Sequence, residues 1–220
     1  MKKIDNIYIK RIGYFNLYVI KGKDGDILID TGFICMKRII KKWLNNFNIK
    51  LIILTHAHVD HIWNTNYIKE LYNCEVAICK HDIKNIDNKN INPIPLKKKY
   101  TKWTKLMNIG MNKFKAKEFI IDIELDENDE INKYDINLKI ISLKGHTNGS
   151  IGIIYKNYLF CGDALVNRKR RIPELAYQNQ NNTDAYNSLL KILELRPKLV
   201  FVGHDKPIKL EKLEKLITEK

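Results

Sequence analysis

The segment THAHVDH at 55–61 places three of the chain's six histidines and one aspartate within six positions. Imidazole nitrogens and carboxylate oxygens are zinc ligands, and three neighbouring imidazoles without a shared cation would repel one another once protonated. A polar loop explains one isolated histidine, but it does not account for four such side chains together. We therefore interpret His56, His58, Asp60 and His61 as candidate metal ligands.

Three further candidates follow apolar segments in the same way. His146 comes after KIISLKG, Asp163 after YLFCG and His204 after KLVFVG. Each apolar run predicts a buried strand, and the glycine directly before each candidate allows a tight turn. If these strands and the run LIIL before the histidine cluster end side by side in one sheet, all seven side chains meet. Five imidazoles and two carboxylates exceed the four ligands of one tetrahedral zinc, so they favour two ions.

The segments around these candidates predict alternating strands and helices. Apolar runs separated by turn residues predict a meander of three antiparallel strands, followed by an amphipathic helix between Ile34 and Phe47. Later patterns predict a helix near 64–72, strand EVAIC, three strands between 138 and 161, a helix near 184–195 and strand LVFV. Neither strict alternation nor a regular strand-helix repeat dominates, so we expect an α/β (α+β) chain with two sheets and helices outside.

Residues 84–118 differ from the rest of the chain. They are rich in asparagine and lysine, and they place five large apolar side chains at helical spacing: Tyr100, Trp103, Met107, Met111 and Phe114. We interpret the segment as a helical insertion in a single domain spanning 1–220. Its apolar stripe either packs on the body of the protein or caps a substrate cleft.

The composition limits the partners and the location. The net charge of +14 could attract nucleic acid, but the lysines are spread along the whole chain, which disfavours a dedicated nucleic-acid surface. The cluster RKRR at Arg168–Arg171 is either a solvated turn or a site for an anionic group of the substrate. The four cysteines form no CxxC pair, and the sequence contains neither an apolar signal core nor a run of about 18 apolar residues. We expect reduced thiols, a cytoplasmic location, no membrane partner and a small-molecule substrate.

Five motifs occur in the order DTG at 30–32, THAHVDH at 55–61, GHTNGS at 145–150, GDAL at 162–165 and GHD at 203–205. Together they resemble the metallo-β-lactamase-fold hydrolase superfamily over nearly the whole chain, with a ligand set like that of glyoxalase II. The resemblance implies an αββα four-layer sandwich and a role for Asp30 in orienting a ligand. It also implies two metal ions with these ligands: His56, His58 and His146 for the first, Asp60, His61 and His204 for the second, and Asp163 as a bridge between them.

Two such ions would support hydrolysis. Metal binding lowers the pKa of water from 15.7 to about 7, so a bridging hydroxide could attack a carbonyl or phosphoryl centre. Asp60 and Asp163 are the predicted catalytic residues, because they help to hold that water and pass on its proton. The expected cofactors are two zinc ions, although iron and manganese also accept nitrogen and oxygen ligands.

The substrate is narrowed by departures from subfamily patterns. β-Lactamases of this fold usually carry a cysteine at the position of Asp163, and its lactonases carry a tyrosine at the position of Val166. We therefore favour an ester or thioester of a small, anionic substrate. A phosphodiesterase or nuclease resembling tRNase Z stays open as an alternative, and so does a mono-iron persulfide-type oxidoreductase.

Overall fold

The structure is a computed structural model that describes residues 2–86, 94–95, 98, 101–102, 116–167 and 173–218. Two large β-sheets lie face to face at its centre, and helices cover the outer face of each sheet. This arrangement is the predicted α/β (α+β) fold with four αββα layers, so that prediction is confirmed.

The first sheet has seven strands, hydrogen-bonded in chain order: β1 (Lys2–Ile4), β2 (Ile7–Ile12), β3 (Phe15–Lys21), β4 (Asp26–Ile29), β5 (Ile49–Leu54), β6 (Glu75–Cys79) and β7 (Ile123–Leu125). β1 to β4 are antiparallel neighbours, which confirms the predicted meander. β4 to β7 run parallel. Parallel neighbours need a crossover connection, and helices after β4 and β5 provide one.

The second sheet has six strands, also bonded in chain order: β8 (Glu130–Lys133), β9 (Ile136–Ser142), β10 (Ile151–Tyr155), β11 (Tyr158–Gly162), β12 (Leu199–Val202) and β13 (Ile208–Lys209). Its neighbours are antiparallel except for β11 and β12, which run parallel. Two-residue strands form two further small pairs: Leu165–Val166 with Glu174–Leu175, and Ile94–Pro95 with Gln178–Asn179.

The helices lie mainly in the connections between parallel strands: α1 (Lys37–Leu44), α2 (Val59–Ile62), α3 (Thr65–Tyr72), α4 (Asn182–Leu195) and α5 (Leu210–Thr218), with short 3-10 helices at Ile34–Met36 and Lys80–Asn85. α4 starts two residues before the predicted position. The reason is a cap, because the side chain of Asn181 accepts hydrogen bonds from the backbone N–H groups of Thr183 and Asp184. The short helix α2 was not predicted, because its four residues are too few to show helical periodicity.

The core consists of three apolar layers, one between the sheets and one under the helices on each side. Along β3, Tyr18 and Ile20 face the second sheet, whereas Leu17 and Val19 face the helices. The third layer joins the second sheet to residues such as Leu189 of α4. Strands buried on both faces have no polar side to show, which explains the unbroken apolar runs in the sequence.

Several sequence predictions concern residues that the structure does not describe, and one other stays a prediction. The cluster Arg168–Arg171 lies outside the described residues. Of the amphipathic stripe between Tyr100 and Phe114, only residues 101 and 102 are described. The single domain spanning 1–220 stays a prediction. Cys74, Cys79 and Cys161 are buried, as expected, and all four cysteines are free thiols. Within the described ranges, every helix is too short or too polar to cross a membrane.

Candidate metal centre

The seven predicted ligands meet at the ends of strands from both sheets. The residues from His56 to His61 follow β5 of the first sheet and run into α2. His146, Asp163 and His204 follow β9, β11 and β12 of the second sheet. The expectation that all four strands belong to one sheet is therefore wrong. Convergence holds because the two sheets pack face to face, which brings the loops after these four strands together.

The ligand atoms form overlapping groups in which all atoms lie within 4.8 Å of one another. The first group consists of His56, His58 and His146. The second group consists of Asp60, His61 and His204. Asp163 lies between them, with Oδ2 at 3.0 Å from Nε2 of His204 and at 3.7 Å from Nε2 of His146. The arrangement places one carboxylate in contact with a histidine of each group.

The first group has the chemistry of a site for a cation. The Nε2 atoms of His56, His58 and His146 are buried and have no hydrogen-bond partner among the described residues. Buried polar atoms in proteins are normally paired, because an unpaired one loses its hydration without compensation. Three unpaired imidazole nitrogens that face one another fit a divalent metal ion, which accepts all three lone pairs. The residues present therefore fit the metal that such a donor set implies.

Asp30 fixes the orientation of His61 in the second group. His61 Nδ1 donates a hydrogen bond of 2.8 Å to Asp30 Oδ2, which leaves Nε2 directed at Asp60 and Asp163. The same carboxylate accepts hydrogen bonds from the backbone N–H and the hydroxyl of Thr55. Asp30 itself has a φ of 58°, in the left-handed region that few non-glycine residues adopt. Backbone strain of this kind persists where the surrounding contacts enforce it.

Two histidines of the first group are also oriented through Nδ1. His146 Nδ1 donates to the backbone carbonyl of Gln178 at 2.9 Å. His56 Nδ1 lies 3.0 Å from the hydroxyl of Thr55, whose own proton points to Asp30. When Nδ1 carries the proton, Nε2 holds a free lone pair, so these contacts select the tautomer that binds metal.

The electrostatics of the two groups differ. Burial lowers the pKa of His58 to about 3, and nearby His146 adds to this effect. The pKa values of His56 and His146 are also lowered, mainly by burial. The first group thus presents three neutral imidazoles, which is the form that coordinates a cation.

In the second group, carboxylates outweigh burial. Burial by itself lowers the pKa of His61, but Asp30, Asp163 and Asp60 raise it to about 9. His204 shows the same balance, and its pKa is raised well above the ordinary value, chiefly by Asp163. Burial alone would raise the pKa of Asp60 and of Asp163, yet the neighbouring histidines lower both. These carboxylates are negative at neutral pH and attract positive charge to the second group.

Glycines let the backbone approach the ligands closely. At Gly203, an added Cβ would lie 2.2 Å from Asp163 Oδ1 and 2.6 Å from Cε1 of His61. Gly162 has a φ of 50° and lies against Thr55. The predicted role of glycine in a tight turn before the ligand is confirmed at Gly162 and at Gly145, which has a φ of 129°, whereas Gly203 provides room for the close approach of Asp163 and His61.

Sequence reasoning missed residues that hold the ligand loops. Asn16 of β3 donates from its side chain to the carbonyls of Val202 and Asp205, and so clamps the loop that carries His204. Asp82 binds two other ligand loops, and its only signal in the sequence is its position just after the strand EVAIC. The nearby His81, which is not among the ligand candidates, is exposed and lies in the first turn of the 3-10 helix Lys80–Asn85.

The fold and the ligand groups together define a metal-binding αββα protein. The model of the metallo-beta-lactamase superfamily matches residues 13–204, and the chain belongs to this superfamily.

Curated relatives agree with this assignment. A probable metallo-hydrolase of Methanocaldococcus jannaschii is 35% identical over 153 residues, which cover 68% of this chain and 66% of the relative. Hydroxyacylglutathione hydrolase 1 of Vibrio vulnificus is 29% identical over 163 residues, which cover 73% of this chain but only 50% of that enzyme. The names of these relatives support the prediction of a metal-dependent hydrolase.

Solved structures share the fold. A metallo-beta-lactamase family protein from Thermus thermophilus superposes with a TM-score of 0.73 at 18% identity, covering 98% of this chain and 79% of that one. BJP-1, a subclass B3 metallo-beta-lactamase of Bradyrhizobium japonicum, gives a TM-score of 0.69 at 22% identity, covering 93% and 76%.

Proposed function

We propose that this chain is a hydrolase of small ester or thioester substrates that depends on two divalent metal ions, preferentially zinc. The observation that carries the proposal is the position of Asp163 between two groups of three ligand candidates. His56, His58 and His146 would hold one ion, and a second set, Asp60, His61 and His204, would hold the other. Bound there, two such ions supply an activated water and polarise the attacked bond.

The chain's own carboxylates would manage protons and position. Asp163 is almost fully buried and would keep the two groups in a fixed relation. Asp60 is more exposed, with 24% of its side-chain surface accessible, and its Oδ2 lies 3.3 Å from Nε2 of His204. A carboxylate at the open side of the site can take up a proton and release it to solvent. We therefore assign the proton-transfer role to the carboxyl group of Asp60.

The buried thiol near the site is unsuited to act as a nucleophile. Cys161 precedes Gly162 on β11, and burial raises the pKa of its thiol far above the ordinary value. The thiolate is the reactive form of cysteine, so the buried thiol stays inert at neutral pH. This supports a mechanism in which water attacks the substrate.

The preference for a thioester or an ester draws on the relatives named hydroxyacylglutathione hydrolase. The chain spans about half the length of those enzymes, at 50% and 53%, so their substrate is only a guide to the chemical class. A cytoplasmic location stays a prediction.

Hydrolysis of a substrate panel tests the proposal. Metal-loaded protein is assayed against a thioester, an ester, a lactone and an activated phosphodiester. We expect the thioester or ester to have the highest kcat/KM, and His58→Ala to reduce it by roughly 100-fold or more. The matched control is His81→Ala, which removes an exposed histidine outside the site and should leave kcat/KM unchanged. Equal rates for wild type and His58→Ala would refute the assigned site.

Metal analysis of the purified protein separates the oxidoreductase alternative. Two zinc ions per chain are expected. One iron per chain, together with oxidation of a persulfide and no hydrolysis, would replace this proposal with the mono-iron alternative.

A second candidate function, phosphodiester cleavage, is favoured by one surface feature. A groove of about 700 Å³ lies between β1, β2 and α1, and five of its lining residues are cationic: Lys2, Lys10, Arg11, Arg38 and Lys42. None of the described lining residues is acidic. One of these residues, Arg11, also forms an ion pair of 3.1 Å with Asp205, the residue after His204. Such a groove suits a phosphate backbone.

Charge reversal distinguishes a binding groove from a generally basic surface. Arg38→Glu combined with Lys42→Glu removes two groove cations. Lys139→Glu combined with Lys198→Glu changes the net charge equally at exposed positions outside the groove. Phosphodiesterase function predicts that only the first pair weakens binding of a single-stranded oligonucleotide and reduces its salt dependence. Equal effects of both pairs would remove this candidate.

A further inference from the structure

A buried carboxylate outside the seven ligand candidates joins the loops of the first group. Asp82 lies in the 3-10 helix after β6 and is fully buried. Its Oδ2 accepts hydrogen bonds of 2.8 Å from the backbone N–H of Ala57 and from the hydroxyl of Thr147. Its Oδ1 accepts from the backbone N–H of Gly149 at 2.9 Å and from the side chain of Asn85 at 2.8 Å.

Three of these four donors, Ala57, Thr147 and Gly149, belong to the segments that carry the first group. Ala57 stands between His56 and His58, and Thr147 directly follows His146. One carboxylate therefore ties a loop of the first sheet to a loop of the second. None of these four hydrogen bonds involves Asp60, His61 or His204, the second group.

The packing around Asp82 leaves little freedom. A Cβ added at Gly149 would lie 2.5 Å from the backbone nitrogen and 2.7 Å from the Cβ of Asp82, so only glycine fits there. Close packing together with four hydrogen bonds fixes the distance between the two loops. The positions of the three imidazoles follow from that distance.

We propose that Asp82 is a positioning residue for the first group, because its hydrogen bonds tie together the segments that carry the three histidines of that group. The proposal rests on the proposed two-ion function. If the role of Asp82 were purely structural, its substitution would lower the stability of the whole protein and the affinity for both ions alike. If Asp82 is a positioning residue, its substitution lowers the affinity for one ion and leaves the affinity for the other unchanged.

Asp82→Asn is the primary test. Asparagine keeps the volume, but its amide NH₂ replaces one acceptor oxygen, so at least one donor loses its partner. The full-length chain is stripped of metal and titrated with Zn²⁺ by calorimetry and with Co²⁺ by absorption. We expect the affinity for one ion to fall roughly 10- to 100-fold, as for other groups that orient metal ligands, and the affinity for the other to stay as in the wild type.

Double variants assign the affected ion. In a His58→Ala background, Asp82→Asn should cause no further loss of affinity for the remaining ion. In a His204→Ala background, it should still weaken the remaining ion roughly 10- to 100-fold. Equal weakening of both ions, or of neither, overturns the proposal.

A matched control and a milder variant separate positioning from misfolding. Asp26→Asn changes another buried carboxylate that accepts from two backbone N–H groups, at the opposite end of β4 from Asp30. It should lower thermal stability without changing either affinity. Thr147→Val removes one donor to Asp82 and should weaken the same ion as Asp82→Asn, by roughly 3- to 10-fold.

Failure of the proposed two-ion function gives a different result from failure of the Asp82 proposal. A wild type that binds a single ion contradicts the proposed function, and Asp82 is then judged on that ion. Loss of affinity in Asp82→Asn but not in Asp26→Asn supports positioning, and an unchanged affinity refutes it.

Discussion

Replacing Gly203 by alanine puts a methyl group into the space between Asp163 and His61. The new Cβ would lie 2.2 Å from Asp163 Oδ1, whereas ordinary van der Waals contact begins near 3.4 Å. The carboxylate, the imidazole or the backbone must therefore move by roughly 1 Å. Because Asp163 contacts both ligand groups, a shift of this size disturbs the whole centre.

The expected loss follows from the sensitivity of catalysis to geometry. A misplacement of about 1 Å costs roughly 100-fold in rate, which corresponds to about 2.7 kcal/mol of transition-state stabilisation. The assay is kcat/KM on the best substrate of the panel, with metal content measured on the same samples. We expect kcat/KM to fall by this factor even when the metal is restored to wild-type content.

Gly152→Ala is the matched control for Gly203→Ala. Its added Cβ would lie 2.7 Å from the side chain of Leu143 and 2.8 Å from that of Ile141, in the apolar layer under α4. The crowding is similar, but flexible aliphatic chains take it up away from the ligands, so stability should fall by about 1–3 kcal/mol while kcat/KM per folded molecule stays unchanged. Wild-type kcat/KM and metal binding in Gly203→Ala would refute the reasoning.

Three further predictions concern the centre and the thiols. Asp30→Asn should weaken metal binding by roughly 10- to 100-fold in a Zn²⁺ titration, because an amide NH₂ replaces one of the two oxygens that accept from His61 and Thr55; an unchanged affinity would contradict the orienting role. Removal of divalent ions with a chelator should lower Tm, because an ion whose free concentration is about 100 times its Kd stabilises the fold by about 2.7 kcal/mol. An unchanged melting curve would argue against bound metal. At pH 8, a thiol reagent should label the exposed Cys35 first, because burial raises the pKa values of Cys74 and Cys79 to about 11 and keeps them protonated until the pH approaches that value. Labelling of all four cysteines at one rate in the folded protein would contradict this burial.

The seven ligand candidates could be predicted because their signal is local. The histidine cluster lies within six residues, and His146, Asp163 and His204 each follow an apolar run and a glycine. These patterns reveal which strand end carries a polar side chain. They do not reveal which sheet the strand joins, because pairing depends on partners far away in the chain. The assumption of a single sheet failed for this reason.

The positioning contacts could not be predicted from such patterns. Asp82 meets Thr147 and Gly149 across more than 60 residues of sequence, and a single aspartate after a strand has no distinctive spacing. Asn16 reaches Asp205, and Tyr18 on the same strand reaches Val202, yet neither residue stands out within this apolar run of the sequence. Contacts of this kind appear only once the two sheets are packed together.

The division of the ligands between two sheets affects the order in which the protein matures. His56 and His58 leave the ribosome about 90 residues before His146, so an emerging chain offers only two donors of the first group for much of its synthesis. A tight three-donor cradle forms only when the late half of the polypeptide has docked on the early half. The proposed cations would therefore be captured late in folding, and once bound they would link the two halves of the chain.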